Sequence, residues 1–278
     1  VPFVYQGIST VAHRYAYLAI TAWAFAVTAW ITASDQAWRK GAVSVLLVMY
    51  ALLSFHQAGF WQNTEVLYAR TLEINPRSWL TLYDQGAIAL RLNQLTLAEN
   101  LLRQSIAINP NYADTQSNLG AALANQGRTD DAFAVWRRTL ELNPVHSAAL
   151  PNLCNKLMNA GRFEEALGEA LSAHQKKPGE VTRNLLASVY YKYGATLFNQ
   201  KDYEPATTLL REAVVYKDSE KHRTAASMAH NDLGMALVDS DRNGAIESFK
   251  KALSYSPDNE WAAENLEAAL KNKQPGKE

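Results

Sequence analysis

The sequence predicts an all-α chain in which two N-terminal transmembrane helices precede a right-handed superhelix of repeated helix pairs and a C-terminal capping helix. One observation is a fixed interval of 34 residues between four prolines, at Pro76, Pro110, Pro144 and Pro178. The other is a stretch of 19 uncharged residues, 15–33, followed closely by a second apolar run. A regular period of this length is typical of helical solenoids, and apolar stretches of this length are typical of membrane helices.

Small residues recur at two fixed places within the period. Gly86, Gly120 and Cys154 lie 24 residues before the last three of these prolines, and Ala98, Ala132 and Ala166 lie 12 residues before them. Small side chains at these places allow two helices to approach closely, and each proline ends the second helix because it lacks the N–H that the helix needs. The pattern resembles the tetratricopeptide repeat, a pair of antiparallel helices that stacks on its neighbours.

The repeat domain is expected to occupy residues 62–278. We assign a half repeat to 61–76, full repeats to 77–110, 111–144 and 145–178, modified repeats to 179–218 and 219–257, and a capping helix to 258–273. Insertions of six residues precede Gly194 and Gly234, so the first helix of the fifth unit is expected to be extended. The capping helix is expected to be amphipathic through Trp261, Leu266 and Leu270.

Residues 1–61 have a different composition, which predicts a membrane segment. The predicted spans are 15–33 and 41–61, separated by a short polar hairpin that contains Arg39 and Lys40. Tryptophans at the edges of these runs would serve as interfacial anchors. The alternative for the first run is a signal peptide with Arg14 at its basic end.

Composition excludes several classes of function. The formal net charge is zero, from 27 basic and 27 acidic residues, so nucleic-acid binding has no electrostatic footprint. The single cysteine, Cys154, excludes an intramolecular disulfide framework and is expected to be a packed thiol.

The six histidines have no metal-ligand spacing, so we predict no metal and no cofactor. No catalytic residues are recognisable, and the acidic pairs Asp130-Asp131 and Glu164-Glu165 fit helix starts better than general acid-base chemistry.

Polar residues recur on the first helix of each pair, where the concave groove of such a fold lies. Asn118 and Asn152 precede the small residue of two adjacent units, and Asn125 and Asn159 follow seven residues later on the same face. An asparagine amide donates and accepts at once, which suits pairing with the backbone of an extended peptide. The predicted ligand-binding residues are Asn118, Asn125, Asn152, Asn159, Asp84, Arg91, Tyr83 and Asn199. The alternative is that these asparagines only cap or bond within the solenoid.

The junction between the apolar runs and the repeats resembles the transmembrane and tetratricopeptide-repeat proteins. In that family the local motif is Ala-acid-Arg-x-x-Tyr-Leu-Pro, and Ala12, Arg14, Tyr17 and Leu18 match it, whereas His13 replaces the acid and Ala19 the proline. The resemblance covers about residues 1–76. It implies a parent glycosyltransferase that uses lipid-linked sugar donors, with its repeats on the periplasmic or lumenal side. The catalytic acid of such enzymes lies far upstream, and nothing in this chain replaces it.

The resemblance also gives Arg14 a candidate role in binding a lipid phosphate, for which guanidinium geometry is suited. The alternative is an interfacial arginine that only sets topology. Because the chain begins with Val1, we expect further sequence upstream.

The predicted function is a membrane-anchored protein-interaction module, the acceptor-binding or scaffold portion of such a transferase. The alternative is a free-standing, membrane-tethered adaptor for envelope assembly. Its expected partners are a protein or an extended peptide in the groove and the membrane along residues 15–61, and its expected location is the bacterial inner membrane or an equivalent.

Overall fold

A computed structural model of the chain describes residues 64–271 and, before them, isolated helical positions between residues 24 and 55. Residues 64–271 form twelve α-helices. In chain order these are α1 (Thr64–Ile74), α2 (Trp79–Arg91), α3 (Leu95–Ile108), α4 (Ala113–Asn125), α5 (Thr129–Leu142), α6 (Ala149–Asn159), α7 (Phe163–Lys176), α8 (Glu180–Asn199), α9 (Tyr203–Tyr216), α10 (Glu220–Leu237), α11 (Arg242–Tyr255) and α12 (Glu260–Lys271). The chain divides into two compact units between Gln126 and Gly127.

The prediction of transmembrane helices is corrected by the structure. In the part of the chain that the structure describes, no helix is both long and apolar enough to cross a membrane. Even α8, with 20 residues, carries charges at Glu180, Arg183 and Lys192. The helices of residues 64–271 bury one face and expose charged side chains on the other, as helices of a solenoid do. The two predicted spans, 15–33 and 41–61, lie outside the described residues except for the isolated helical positions. Arg14 also lies outside the described residues.

The N-terminal unit shows how a helix pair closes on its small residue. A Cβ placed on Gly86 of α2 would lie 2.8 Å from Cγ of Leu102 on α3, so only glycine permits this approach. The Leu102 side chain is fully buried there. The Ser105 hydroxyl near the end of α3 donates to the Trp79 carbonyl at the start of α2, at 2.7 Å. The two helices are therefore antiparallel.

The C-terminal unit repeats this packing with longer first helices. A Cβ on Gly194 of α8 would lie 2.8 Å from Cγ of Leu210 on α9, and a Cβ on Gly234 of α10 would lie 2.5 Å from Cε1 of Phe249 on α11. The helices α8 and α10 contain 20 and 18 residues, whereas α4 contains 13. The extension of the fifth unit's first helix, predicted from the six-residue insertion, is confirmed.

The turn between the helices of a pair has a fixed conformation. Gly127 has a φ of 82°, which glycine adopts without steric cost. Asn93, Gly161 and Lys201 occupy the corresponding place in other pairs and have φ of 57°, 74° and 63°. A left-handed residue at this point lets the chain reverse within three residues, as between Arg91 and Leu95.

The last helix packs by a different face from the one that the sequence suggests. The buried residues of α12 are Ala262 and Ala269, and Leu266 packs against the cluster formed with Phe249. The Trp261 side chain, expected in the apolar stripe, is 69% exposed. Small alanines face inward because they allow α12 to approach α11 closely, which leaves the larger Trp261 on the surface.

Candidate functional site

The predicted asparagine positions lie on the surface of first helices. In the N-terminal unit, Asn118 and Asn125 stand two turns apart on α4, and Asn118 is half-buried whereas Asn125 is exposed. The Asn118 side chain is hydrogen-bonded to the hydroxyl of Tyr83 on α2. This contact brings two of the predicted residues together from neighbouring first helices. The face of α4 that carries Asn118 therefore borders α2.

In the C-terminal unit, Asn152 and Asn159 occupy the same positions on α6. Asn152 is half-buried and Asn159 is exposed. Within residues 64–271, neither side-chain amide makes a hydrogen bond to another protein group. Asn199 lies exposed at the end of α8. These amides keep both their donors and their acceptors available on the surface.

Other asparagines of the chain do serve the solenoid internally, and they lie at different places. The side-chain carbonyls of Asn75 and Asn143 accept the backbone N–H of Arg77 at 3.2 Å and of Val145 at 3.3 Å. These two asparagines precede the prolines that end the second helices. Internal capping therefore belongs to the Asn-Pro position, and the structure shows no capping bond from Asn152 or Asn159 within the described residues.

An aromatic and acidic cluster surrounds the remaining predicted residues of the N-terminal unit. The ring of Tyr112 lies 5.2 Å from Tyr83 and 4.9 Å from Trp79, between ring centroids. The hydroxyl of Tyr68 on α1 is hydrogen-bonded to the carboxyl of Asp84. Burial raises the pKa of this carboxyl, and the hydrogen bond from Tyr68 opposes the rise.

Burial raises the pKa of two titratable groups in this cluster, the Asp84 carboxyl and the Tyr112 hydroxyl. Asp84 forms no ion pair within residues 64–271, so the hydrogen bond from Tyr68 is what offsets the free-energy cost of desolvating its carboxyl group. Burial, with the charge of Asp114, also raises the pKa of the Tyr112 hydroxyl. Titratable groups perturbed in this way cluster at functional sites. Arg91, by contrast, lies exposed in the last turn of α2.

The register of the repeats predicts Tyr83, Asp84 and Asn118 as site residues but does not indicate their contacts with Tyr68, Trp79 and Tyr112. The available signal was an aromatic residue at a helix start, since Trp79 is the first residue of α2 and Tyr112 directly precedes α4. Their mutual contact depends on the packing of α2 against α4, which the period alone does not specify.

The acidic pairs at helix starts are structural. Glu165 accepts from Arg162 at 2.6 Å and from Arg137 at 3.1 Å, and Asp130 accepts from Arg162 at 3.2 Å. Glu164 is hydrogen-bonded to the hydroxyl of Tyr193, which lowers the pKa of its carboxyl. These carboxylates join α5, α7 and α8 across the C-terminal unit, so they are not a catalytic pair.

The single thiol is inert in this setting. Cys154 is fully buried, with its Sγ 3.6 Å from the carbonyl of Ala166. Burial, aided by the charge of Glu169, raises its pKa to about 12, so the reactive thiolate is scarce at neutral pH. In the described part of the chain, no group of three or more His, Cys, Asp or Glu side chains is placed to hold a metal ion.

Comparison with known proteins gives one family match and several similar structures. Residues 101–134 match the family described as Tetratricopeptide repeat. No curated protein sequence matches the chain. Among solved structures it is similar to YrrB, described as a TPR protein with an unusual peptide-binding site, with 14% identity, 71% of this chain and 96% of that chain covered, and a TM-score of 0.44.

Two structures of MamA are similar as well. The MamA protein shows 18% identity over 73% of this chain and 100% of that chain, with a TM-score of 0.45. MamA from residue 41 to its end, from Desulfovibrio magneticus RS-1, shows 19% identity over 64% of this chain and 95% of that chain, with a TM-score of 0.40.

Residues 101–134 therefore carry a tetratricopeptide-repeat match within a longer array of helix pairs that small residues close. Stacked helical repeats commonly offer extended concave surfaces for binding.

Proposed function

We propose that this chain binds extended segments of other proteins along its first helices, with the side-chain amides of Asn118 and Asn125 pairing with the ligand backbone on the N-terminal unit and those of Asn152 and Asn159 doing so on the C-terminal unit. The observation that carries the proposal is that Asn152 and Asn159 are displayed on one face of α6 with no hydrogen bond to protein groups in the described residues. An amide held in this way offers one donor and one acceptor to a peptide unit. Recognition through the backbone tolerates many ligand sequences.

Aromatic side chains beside the amides support the same function. Tyr83 contacts Tyr112 by an edge-on ring contact and is hydrogen-bonded to Asn118. These rings present apolar area together with hydroxyl groups, a combination favoured at binding surfaces. Apolar side chains of a bound segment would therefore pack on Tyr83 and Tyr112 while its backbone pairs with the amides.

The experiment compares capture of an unstructured acceptor peptide by the full chain and by variants. Replacing Asn118, Asn125, Asn152 and Asn159 together with alanine is expected to weaken binding by on the order of a hundredfold, because each hydrogen bond contributes roughly 0.5 to 1.5 kcal/mol. Replacing only the pair on α4, or only the pair on α6, is expected to weaken binding by about tenfold. Helicity measured by circular dichroism should be unchanged.

A matched control replaces exposed asparagines on second helices, Asn100 on α3 and Asn243 on α11. This double alanine variant is expected to bind as the parent does. Equal capture by the quadruple variant and the control would show that these four amides do not pair with the ligand, and it would assign binding to another surface.

A finer proposal rests on the resemblance of residues 1–76 to the transmembrane and tetratricopeptide-repeat proteins. On that basis the module recruits acceptor protein for a lipid-linked-sugar glycosyltransferase, and the alternative is an adaptor without an enzymatic parent. The coding sequence before Val1 separates the two, since an acidic extracytoplasmic loop there favours the transferase. A gene that encodes no such loop would favour the adaptor without an enzymatic parent.

A further inference from the structure

A cavity of about 350 Å³ opens in the C-terminal unit between α10 and the start of α12. Its walls include Ser227 and Met228 of α10, Asp258 and Asn259 of the preceding connection, and Trp261 of α12. None of the residues that the sequence analysis singled out as ligand-binding lies in it. The cavity is therefore a separate feature of the first-helix surface.

Hydrogen bonds hold the walls of this cavity in place. The amide of Asn259 donates to the Ser227 hydroxyl at 2.9 Å, and its carbonyl oxygen accepts the backbone N–H of Ala262 at 3.1 Å. The Ser256 hydroxyl donates to Asp258 at 2.7 Å. The connection is thus fixed to α10 on one side and to the first turn of α12 on the other, so the cavity exists before any ligand arrives.

The lining of the cavity includes two apolar side chains that solvent reaches. Trp261 is 69% exposed and Met228 is 41% exposed. A tryptophan this accessible loses most of the favourable burial that its ring provides elsewhere in proteins. Its position in a preformed cavity, with the buried face of α12 assigned to alanines instead, is what a stacking surface for a ligand requires.

The rim of the cavity is negative. Asp258 and Glu260 both line it, and neither forms an ion pair within residues 64–271. The start of α12 contributes a partial charge of roughly +0.5, which is smaller than the charge of the two carboxylates that lie at this helix start. The cavity therefore favours a cation.

We propose that this cavity binds the side chain of an arginine in the extended segment, with the guanidinium stacked on Trp261 and hydrogen-bonded to Asp258 and Glu260. This inference rests on the proposed function, since it names a side-chain preference of the same ligand. A planar guanidinium stacks on an indole ring and can satisfy a carboxylate with two parallel hydrogen bonds. The lysine ammonium is more strongly hydrated and has no plane to stack, so arginine is preferred over lysine.

The experiment uses fluorescent peptides of glycine and serine that differ only in one central guest residue. The guests are arginine, lysine and citrulline, the last being the neutral analogue of arginine. Fluorescence anisotropy with the full chain is expected to show arginine binding about tenfold more tightly than citrulline, with lysine between them. The indole N–H resonance of Trp261, assigned with Trp261→Phe, should shift most with the arginine peptide.

Two variants test the assignment to these residues. Asp258→Asn combined with Glu260→Gln should leave citrulline binding unchanged and lower the ratio of arginine to citrulline affinity to the small part that stacking on Trp261 provides, because the two carboxylate charges are removed. Glu247→Gln combined with Glu264→Gln removes two exposed carboxylates that lie outside the cavity, and it should keep the parental ratio.

The outcomes separate the two proposals. Three results would overturn the arginine cavity and leave peptide binding itself standing. They are equal binding of arginine and citrulline by the parent, equal binding of arginine and lysine, and an arginine preference that the Asp258 and Glu260 substitutions do not reduce. A failure of every guest peptide to bind would overturn both.

Discussion

At the scale of single residues, Lys201 holds a backbone conformation that its side chain does not favour. Its φ of 63° places it in the left-handed region, where Gly127 and Gly161 serve in equivalent turns. For an ordinary L-residue this conformation costs roughly 1 to 2 kcal/mol. The side chain of Lys201 is exposed, so packing does not return this free energy.

We therefore expect Lys201→Gly to stabilise the chain by about 0.5 to 1 kcal/mol, since part of the relief is lost to the greater freedom of glycine in the unfolded state. Gly161→Ala is the reciprocal change, at φ of 74° with no atom within 4 Å of the new Cβ, and it should destabilise by about 1 kcal/mol. Urea unfolding measures both. A Lys201→Gly variant less stable than the parent would contradict the backbone argument.

His230 couples the stability of the C-terminal unit to pH. It is 7% exposed, its ring lies 5.7 Å from that of Tyr255, and within the described residues its Nδ1 has no hydrogen-bond partner. Burial, together with the charges of Lys251 and Arg211, lowers the pKa of the imidazole from 6.5 to about 4.

The folded chain thus holds His230 neutral at a pH where the unfolded chain protonates it. The stabilisation is complete above pH 6.5 and is lost as the pH falls from 6.5 towards 4. At about 1.4 kcal/mol per pKa unit, the loss by pH 4.5 is about 2 to 3 kcal/mol. Urea unfolding at pH 7.5 and 4.5 measures how far the free energy of unfolding falls between the two pH values. This decrease should be smaller in His230→Leu than in the parent by about 2 to 3 kcal/mol. Equal losses in the two proteins would show that His230 does not carry the effect.

At the scale of helices, the pairs are closed by glycines that meet large side chains. The tightest approach joins Gly234 of α10 to Phe249 of α11, where a Cβ would lie 2.5 Å from the ring. Phe249 is 1% exposed, so its ring has no free space to move into. The distance between α10 and α11 is therefore set at this point.

Gly234→Ala is expected to destabilise the chain by about 1 to 3 kcal/mol through overpacking. Gly168 of α7 provides the control, because a Cβ there meets no atom within 4 Å. Gly168→Ala should stabilise by roughly 0.5 to 1 kcal/mol through helix propensity. Thermal and urea unfolding of the two variants should differ in sign, and a neutral Gly234→Ala would show that the pair tolerates a wider separation.

The sequence predicts these pairs well because the small residues recur at constant offsets from the prolines. The restarted pattern found Gly194 and Gly234 even after the insertions, and both lie where α8 and α10 meet their partners. The sequence did not predict which face of α12 turns inward. The stripe of large apolar residues indicated one face, whereas close approach to α11 requires the small residues Ala262 and Ala269 to face inward. The contact of Tyr68 with Asp84 was missed for a related reason, since it joins helices whose separation no period specifies.

At the scale of the whole chain, charge is balanced. The formal net charge is zero and the isoelectric point is about 7.2. A neutral chain exerts little long-range attraction on a charged ligand, so recognition depends on short-range groups such as the amides of Asn152 and Asn159.

Binding of an uncharged peptide is therefore expected to change by less than about twofold between 50 mM and 500 mM salt, because neutral hydrogen bonds are not screened. The advantage of an arginine guest should shrink over the same range, since it depends on carboxylates. Anisotropy titrations at both salt concentrations measure the two effects. A steep loss of the uncharged peptide with salt would indicate that charges, and not amides, hold the ligand.

Side-chain hydrogen bonds attach α12 to α10 and α11. Arg242 donates from both Nε and Nη2 to the carbonyl of Ala269, at 2.9 and 2.6 Å, and Asn265 donates to Asn231 at 2.9 Å. A terminal helix in a linear array has a neighbour on one side only and so tends to fray first. These bonds fasten α12 to α10 at its middle and to α11 near its C-terminal end, so slow amide exchange should extend into α12 instead of stopping at α11.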